Sequence, residues 1–171
     1  MAITTLDGFL AAPMQRITLL KTASRASVAA IPFSVFDVAG NPGAGVLAGT
    51  STTTGVVPTD ATAGCPVIND FGASATGYIT RIEASNSVAC RITLYDMLWK
   101  GGAYAFNAAV TGQTPTSFAS RLPNTDYKGL ELWYEQVTAS TGIQSVNVTY
   151  INQDGTTERT TGVISQGATG T

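Results

Sequence analysis

Glu131 and Glu135 come closest in this chain to a catalytic pair by type and spacing. On a β-strand, positions 131, 133 and 135 share one face, because side chains alternate with a period of two. Trp133 then stands between two carboxylates. Paired carboxylates serve as acid and nucleophile in glycoside hydrolysis, and an aromatic ring flanked by acids also makes a platform for a sugar. The plainer reading is a solvated strand face with an amphipathic tryptophan, or a subunit contact. A second cluster is Tyr95, Asp96, Trp99 and Lys100. It reads either as a core edge covered by side chains with wet polar tips, or as an interface hot spot, for which Trp and Tyr are favoured types.

Other motifs carry less. Gly43-Ala44-Gly45 followed by Gly49 departs from G-x-G-x-x-G, and a Thr/Gly-rich stretch follows where a dinucleotide-binding helix should open. Asn147-Val148-Thr149 matches a glycosylation sequon but falls in the middle of an expected strand. Asp154 lacks the neighbouring acids of a calcium loop. The chain has no histidine, which removes the usual general base at neutral pH, the commonest metal ligand and any Ser-His or Cys-His nucleophile. Cys65 and Cys90 lack metal-type spacing. Cys90 alternates with Val88, Ile92 and Leu94 and reads as a small core residue with a free thiol; a Cys65–Cys90 disulfide is the alternative. These residues predict no enzyme: catalytic residues none, cofactors none, metal none.

Composition points the same way. The 171 residues suffice for one domain with a real core. Charged residues are 12% of the chain, about half the usual roughly 25%. The surface is therefore built from hydroxyls and amides, as in many extracellular and virion β-proteins, and much of it suits burial against other subunits. A net charge of −2 and a pI near 4.9 argue against nucleic-acid binding, which needs a basic footprint to displace counterions. No apolar run reaches membrane-spanning length. The start, Met1-Ala2-Ile3-Thr4-Thr5-Leu6-Asp7, lacks a secretory n-region and h-region, so the protein is expected to fold in the cytoplasm of the cell that makes it.

The elements follow from periodicity. Leu6, Phe9, Leu10, Met14, Ile17 and Leu20 recur at helical spacing over residues 5–21, with Thr5 as cap and Pro13 as a bend or split. This segment reads as an arm that lies on a neighbouring subunit, or as a helix covering its own domain. Strands are expected over 29–38, with Pro32 placing it at an edge, over 78–84 and 88–95 around the turn Ser85-Asn86-Ser87, and over three runs in the C-terminal third. Those three carry Leu130, Leu132 and Tyr134; then Val146, Val148 and Tyr150; then a return after Asp154-Gly155, a strong hairpin signal. Residues 49–72 and 112–128 read as polar loops, and 97–106 as a loop or helical turn folding over the core edge. Roughly seven or eight short strands predict an all-β fold, an antiparallel β-sandwich or jelly-roll-like domain. The division is an N-terminal arm (1–25), a β-sandwich (26–165) and a flexible tail (166–171).

Several segments together resemble a known group. They are 39–45 (Ala-Gly-Asn-Pro-Gly-Ala-Gly) with 48–51 (Ala-Gly-Thr-Ser), 91–99 (Arg-Ile-Thr-Leu-Tyr-Asp-Met-Leu-Trp), and 130–135 (Leu-Glu-Leu-Trp-Tyr-Glu) leading into 146–155. The combination is similar to structural proteins of tailed bacteriophages and prophages, of the head or capsid-associated minor type. The resemblance covers most of the chain from about Lys21 onward and carries no catalytic residues. It implies a β-sandwich on the capsid exterior that stabilises the shell, with the major capsid protein and further copies of itself, as a trimer, for partners. A tail or collar component is the neighbouring alternative. From the sequence itself, the residues expected to contact capsid or subunit are Leu6, Phe9, Leu10, Met14, Ile17, Tyr95, Trp99 and Trp133. The competing class is a carbohydrate-binding adhesion module using Trp133, Tyr134 or Trp99.

Overall fold

The computed structural model describes residues 3–25, 32–46, 53–73, 75–102, 104–105, 109, 113–122, 126–136 and 142–166. Among these the chain is mostly non-helical, with one short helix, one 3-10 turn and three small antiparallel sheets of two strands each. The expected residues 29–31, 48–51, 106, 123 and 167–171 lie outside the described residues.

Helix α1 spans Leu6–Ala11. Thr5 caps it, its hydroxyl accepting from the Gly8 amide at 3.0 Å, which satisfies one of the orphan donors of the first turn. Asp7 adds a carboxylate where the helix dipole is positive. The helix ends with Ala12 as its C-cap, extended at ψ 140°, because the residue before a proline is pushed out of the helical region. The helical spacing from Met14 to Leu20 is therefore not realised as helix. The chain there ends in strand β1, Leu20–Lys21, antiparallel to β2, Gly40–Asn41. Gly40 has φ +151°, and a side chain there would overlap the Leu20 carbonyl, so only glycine lets the two strands approach. The Lys21 ammonium donates to the carbonyls of Val38 and Pro42, both at 3.0 Å.

The interior is a junction of aromatic rings on glycines. Val38 is its buried aliphatic residue. The Phe36 ring lies where a Cβ of Gly45 or Gly64 would fall, and the Trp99 ring does the same over Gly55 and Gly101. Val56 and Lys100 exchange backbone hydrogen bonds of 2.7 and 2.9 Å beside the tryptophan, and the indole donates to the Thr54 carbonyl at 3.0 Å. The Lys100 ammonium sits 4.8 Å from the centre of the Phe36 ring, linking the two halves of the junction by a cation–π contact. Arg121, at the end of the 3-10 turn Ala119–Arg121, closes it: it donates to the Pro58 and Met97 carbonyls and pairs with Asp96 at 2.6 Å. Within Gly43-Ala44-Gly45, Gly45 gives room to the Phe36 ring.

The C-terminal hairpin is the most regular element. Strands β3, Gln144–Val146, and β4, Thr149–Tyr150, run out; β5, Arg159–Thr160, and β6, Ile164–Gln166, return. The Asn152 carbonyl accepts from the Gly155 amide at 3.0 Å. Gly155 has φ +74°, so the turn is the form in which a left-handed glycine closes a three-residue loop. The Asn152 side-chain oxygen accepts from the amides of Asp154 and Thr156 and braces it. Val146 faces Ile164 and Thr149 faces Thr160; two residues lie between on the outgoing strand and three on the return, so the return carries a bulge, and Gly162 there has φ +74°. A second bulge before the turn carries Glu158 at φ +58°.

Two expectations are corrected. Residues 78–84 and 88–95 belong to no ladder among the described residues, and Val88 falls in a bend. Val88, Cys90, Ile92 and Leu94, expected to face inward, are all exposed, as are Arg91, Thr93 and Tyr95. Alternation fixes which side chains share a face, but not that anything covers that face. Both cysteines are free, and Cys90 accepts from the Asn86 amide instead of filling a core. Residues 32–35 and 130–136 likewise lie outside the named strands.

Candidate functional site

Segments 91–99 and 130–136 meet where Tyr95 and Trp133 stack, ring centres 4.9 Å apart and planes tilted by 59°. This is a favourable aromatic geometry, yet Tyr95 stays 51% and Trp133 53% exposed. The Trp133 indole donates to the Glu131 carboxylate at 3.1 Å, as expected of two residues on one strand face. The sequence neighbours Leu94 and Leu132 are also exposed. The ring pair leaves an open aromatic surface with one carboxylate at its edge.

Glu135 faces a different set of groups. Arg25 pairs with Asp37 and reaches Glu135 at 3.9 Å, so one guanidinium serves two carboxylates from distant segments. Partial burial and then the Asp37 charge push the Glu135 carboxyl up, against the opposing pull of Arg25 and Lys100. Burial likewise pushes the Lys100 ammonium down and the Cys65 thiol and Tyr134 phenol up. Glu131 and Glu135 therefore have separate partners, an indole and a guanidinium.

The other expected contact residues divide into two groups. Trp99 is drawn into the interior over Gly55, so sequence order beside Tyr95 does not make it part of the open patch. Leu6, Phe9, Leu10 and Met14 are exposed on and just after α1, Leu6 by 72% and Leu10 by 67%. The helix buries none of its residues. It is moored only past its end: the Gln15 side chain donates to the Val67 carbonyl at 2.9 Å and accepts from the Asn69 amide at 2.7 Å. Ile17 lines an open cleft of about 230 Å³ between this mooring, Asn41–Pro42 and Cys65–Val67. The mooring was not apparent from the sequence; a lone glutamine carries no signal for a partner more than fifty positions away.

Among the described residues, large apolar side chains are exposed from Ile3 to Ile164.

Among the described residues no group of three or more His, Cys, Asp or Glu could hold a metal, and no helix is long and apolar enough to cross a membrane. No family model, curated protein or solved structure matches this chain.

Proposed function

We propose that this chain is a capsid decoration protein of a tailed bacteriophage, which binds the outside of the assembled head and bridges neighbouring major capsid subunits. The observation that carries the reading is the set of large apolar side chains left exposed among the described residues. A chain of this size with so much uncovered apolar surface and few charges is suited to being buried against other proteins, since apolar burial drives such association. The resemblance in segments 39–51, 91–99 and 130–155 supplies the kind of partner. In the assembled particle the segments 78–84, 88–95 and 130–136 complete a β-sandwich or jelly roll, and further copies of the chain, expected as trimers, sit side by side. Helix α1 reaches from its mooring at Gln15 to the capsid surface, and the Tyr95–Trp133 patch forms a second contact.

Purified protein added to heads lacking it should bind saturably and raise the temperature at which the shell opens. No binding to heads at any stage of maturation overturns the reading. A second reading, a carbohydrate-binding module, is favoured by the exposed Tyr95–Trp133 pair with Glu131 at its edge. A glycan array with hits lost on Trp133→Ala would put it first.

A further inference from the structure

We infer that the outgoing strand of the C-terminal hairpin, residues 143–152, is a pairing edge for the same strand of a second copy, antiparallel about a two-fold axis. Three independent features meet there.

The first is the sequence of the edge. From Ile143 to Gln153 there is no charge, no proline and no glycine. Exposed edge strands are normally blunted by lysine, proline or bulges so that they do not recruit another strand. The return strand is blunted in this way: it carries Glu158, Arg159, Gly162 and both bulges. The outgoing strand has none of these.

The second is the direction of the backbone groups. The Val148 carbonyl accepts from the Thr161 amide at 3.0 Å and the Val148 amide donates to the Thr161 hydroxyl at 3.1 Å. The Asn152 amide donates to the Thr156 carbonyl at 3.1 Å. Even-numbered residues thus turn inward, and the alternation of an antiparallel ladder turns the amides and carbonyls of Asn147, Thr149 and Ile151 outward.

The third is self-complementarity. Placing Val148 on the two-fold axis pairs Asn147 with Thr149 of the second copy as hydrogen-bonded neighbours. It also sets Val146 against Tyr150 and Val148 against Val148 on one face. Odd residues meet odd ones, as the outward backbone groups require, and no apolar side chain changes face. Two such hairpins make a four-stranded sheet, where a lone two-stranded hairpin is marginal in water.

The self-complementary register favours a second copy as the occupant. An uncharged edge pairs with its own copy without like-charge repulsion, and a two-fold contact closes on itself. The inference rests on the decoration reading only in that neighbouring copies are expected. It is tested on purified protein without capsids, so the two fail separately.

The test is cross-linking of the full-length protein in a Cys65→Ser, Cys90→Ser background, with Val148→Cys added. Under mild oxidation most of it should run as a covalent dimer. Ser145→Cys and Thr157→Cys, each in the same background, should not cross-link, since both positions lie away from the axis. In the native chain, Thr149→Lys should weaken self-association about tenfold by placing a charge on the edge, and Asn147→Glu added to it should restore most of the loss, because 147 and 149 face each other across the axis. Equal cross-linking at all three positions, a monomer at all concentrations, or a trimer without a 148–148 cross-link overturns the inference. Thr149 is exposed, so its substitution leaves the fold intact, which circular dichroism verifies.

Discussion

Removing residues 1–13 separates attachment from folding. The cut falls before Gln15, so the side-chain clasp to Val67 and Asn69, the β1–β2 pair and the Lys21 contacts all remain. Helix α1 buries none of its residues, and its backbone hydrogen bonds are local, such as Phe9 to Thr5. Stability of the remainder should therefore change by less than about 0.5 kcal/mol, the range for substitutions away from packed features. Attachment should suffer much more. Burying a large aliphatic side chain contributes about 1.5–3 kcal/mol. Leu6 and Leu10 are largely exposed and stand near the low end of that range; Phe9, at 38% exposure, contributes roughly half as much. The sum is about 3–4 kcal/mol, or a few hundred-fold in affinity. Thr5→Ala should produce a smaller version of the same loss, about fivefold, because an N-cap is worth about 1 kcal/mol. The assay is co-sedimentation of purified protein with heads over a concentration series, with thermal melts of both variants alongside. Unchanged affinity for the truncated protein refutes the arm as the attachment element, even if the protein still decorates the shell.

Other consequences are testable on the isolated protein. Gly55→Ala should destabilise by about 2–3 kcal/mol, since φ is +62° and the new methyl enters the Trp99 ring; a lower melting temperature with quenched tryptophan fluorescence checks it. The carboxyl of Glu135 is pushed above the usual carboxylate range by burial and Asp37, so the folded state takes up a proton before the unfolded chain does. Stability should then rise as pH falls through the folded value toward the ordinary glutamate range and level off below it for this group. Glu135→Gln should flatten that rise in urea titrations run across the window. Trp133→Ala should weaken shell binding while Glu131→Gln leaves it unchanged; the reverse order would mean that the patch recognises a hydrogen-bonding ligand instead of an apolar surface.

The hairpin of residues 144–166 was legible because its information is local. Val146, Val148 and Tyr150 give the alternation, and Asp154-Gly155 gives the turn. The bulges were not legible, since nothing near Glu158 announces a left-handed residue. Thr5 and Pro13 marked the ends of the helix, but the apolar spacing beyond Pro13 outlasted the helix itself, because spacing reports a face and a proline breaks the backbone. The alternation over 88–95 suggested a covered strand, yet cover depends on a partner that the pattern does not contain. The interior was hidden for a related reason. Gly45 under Phe36 and Gly55 under Trp99 are contacts between distant segments, and a glycine in sequence reads first as a turn. Of the candidate site, the closeness of Trp133 and Glu131 was legible from their spacing of two, whereas the Tyr95–Trp133 stack and the Arg25 bridge between Asp37 and Glu135 join segments that no period connects.

The most direct test of the decoration reading is the copy number of this protein in purified virions, measured against the major capsid protein. Near one copy per capsid subunit, or one oligomer per symmetry position, is the predicted result. A handful of copies per particle would move the protein to the portal, collar or tail, and its absence from virions would contradict the account altogether.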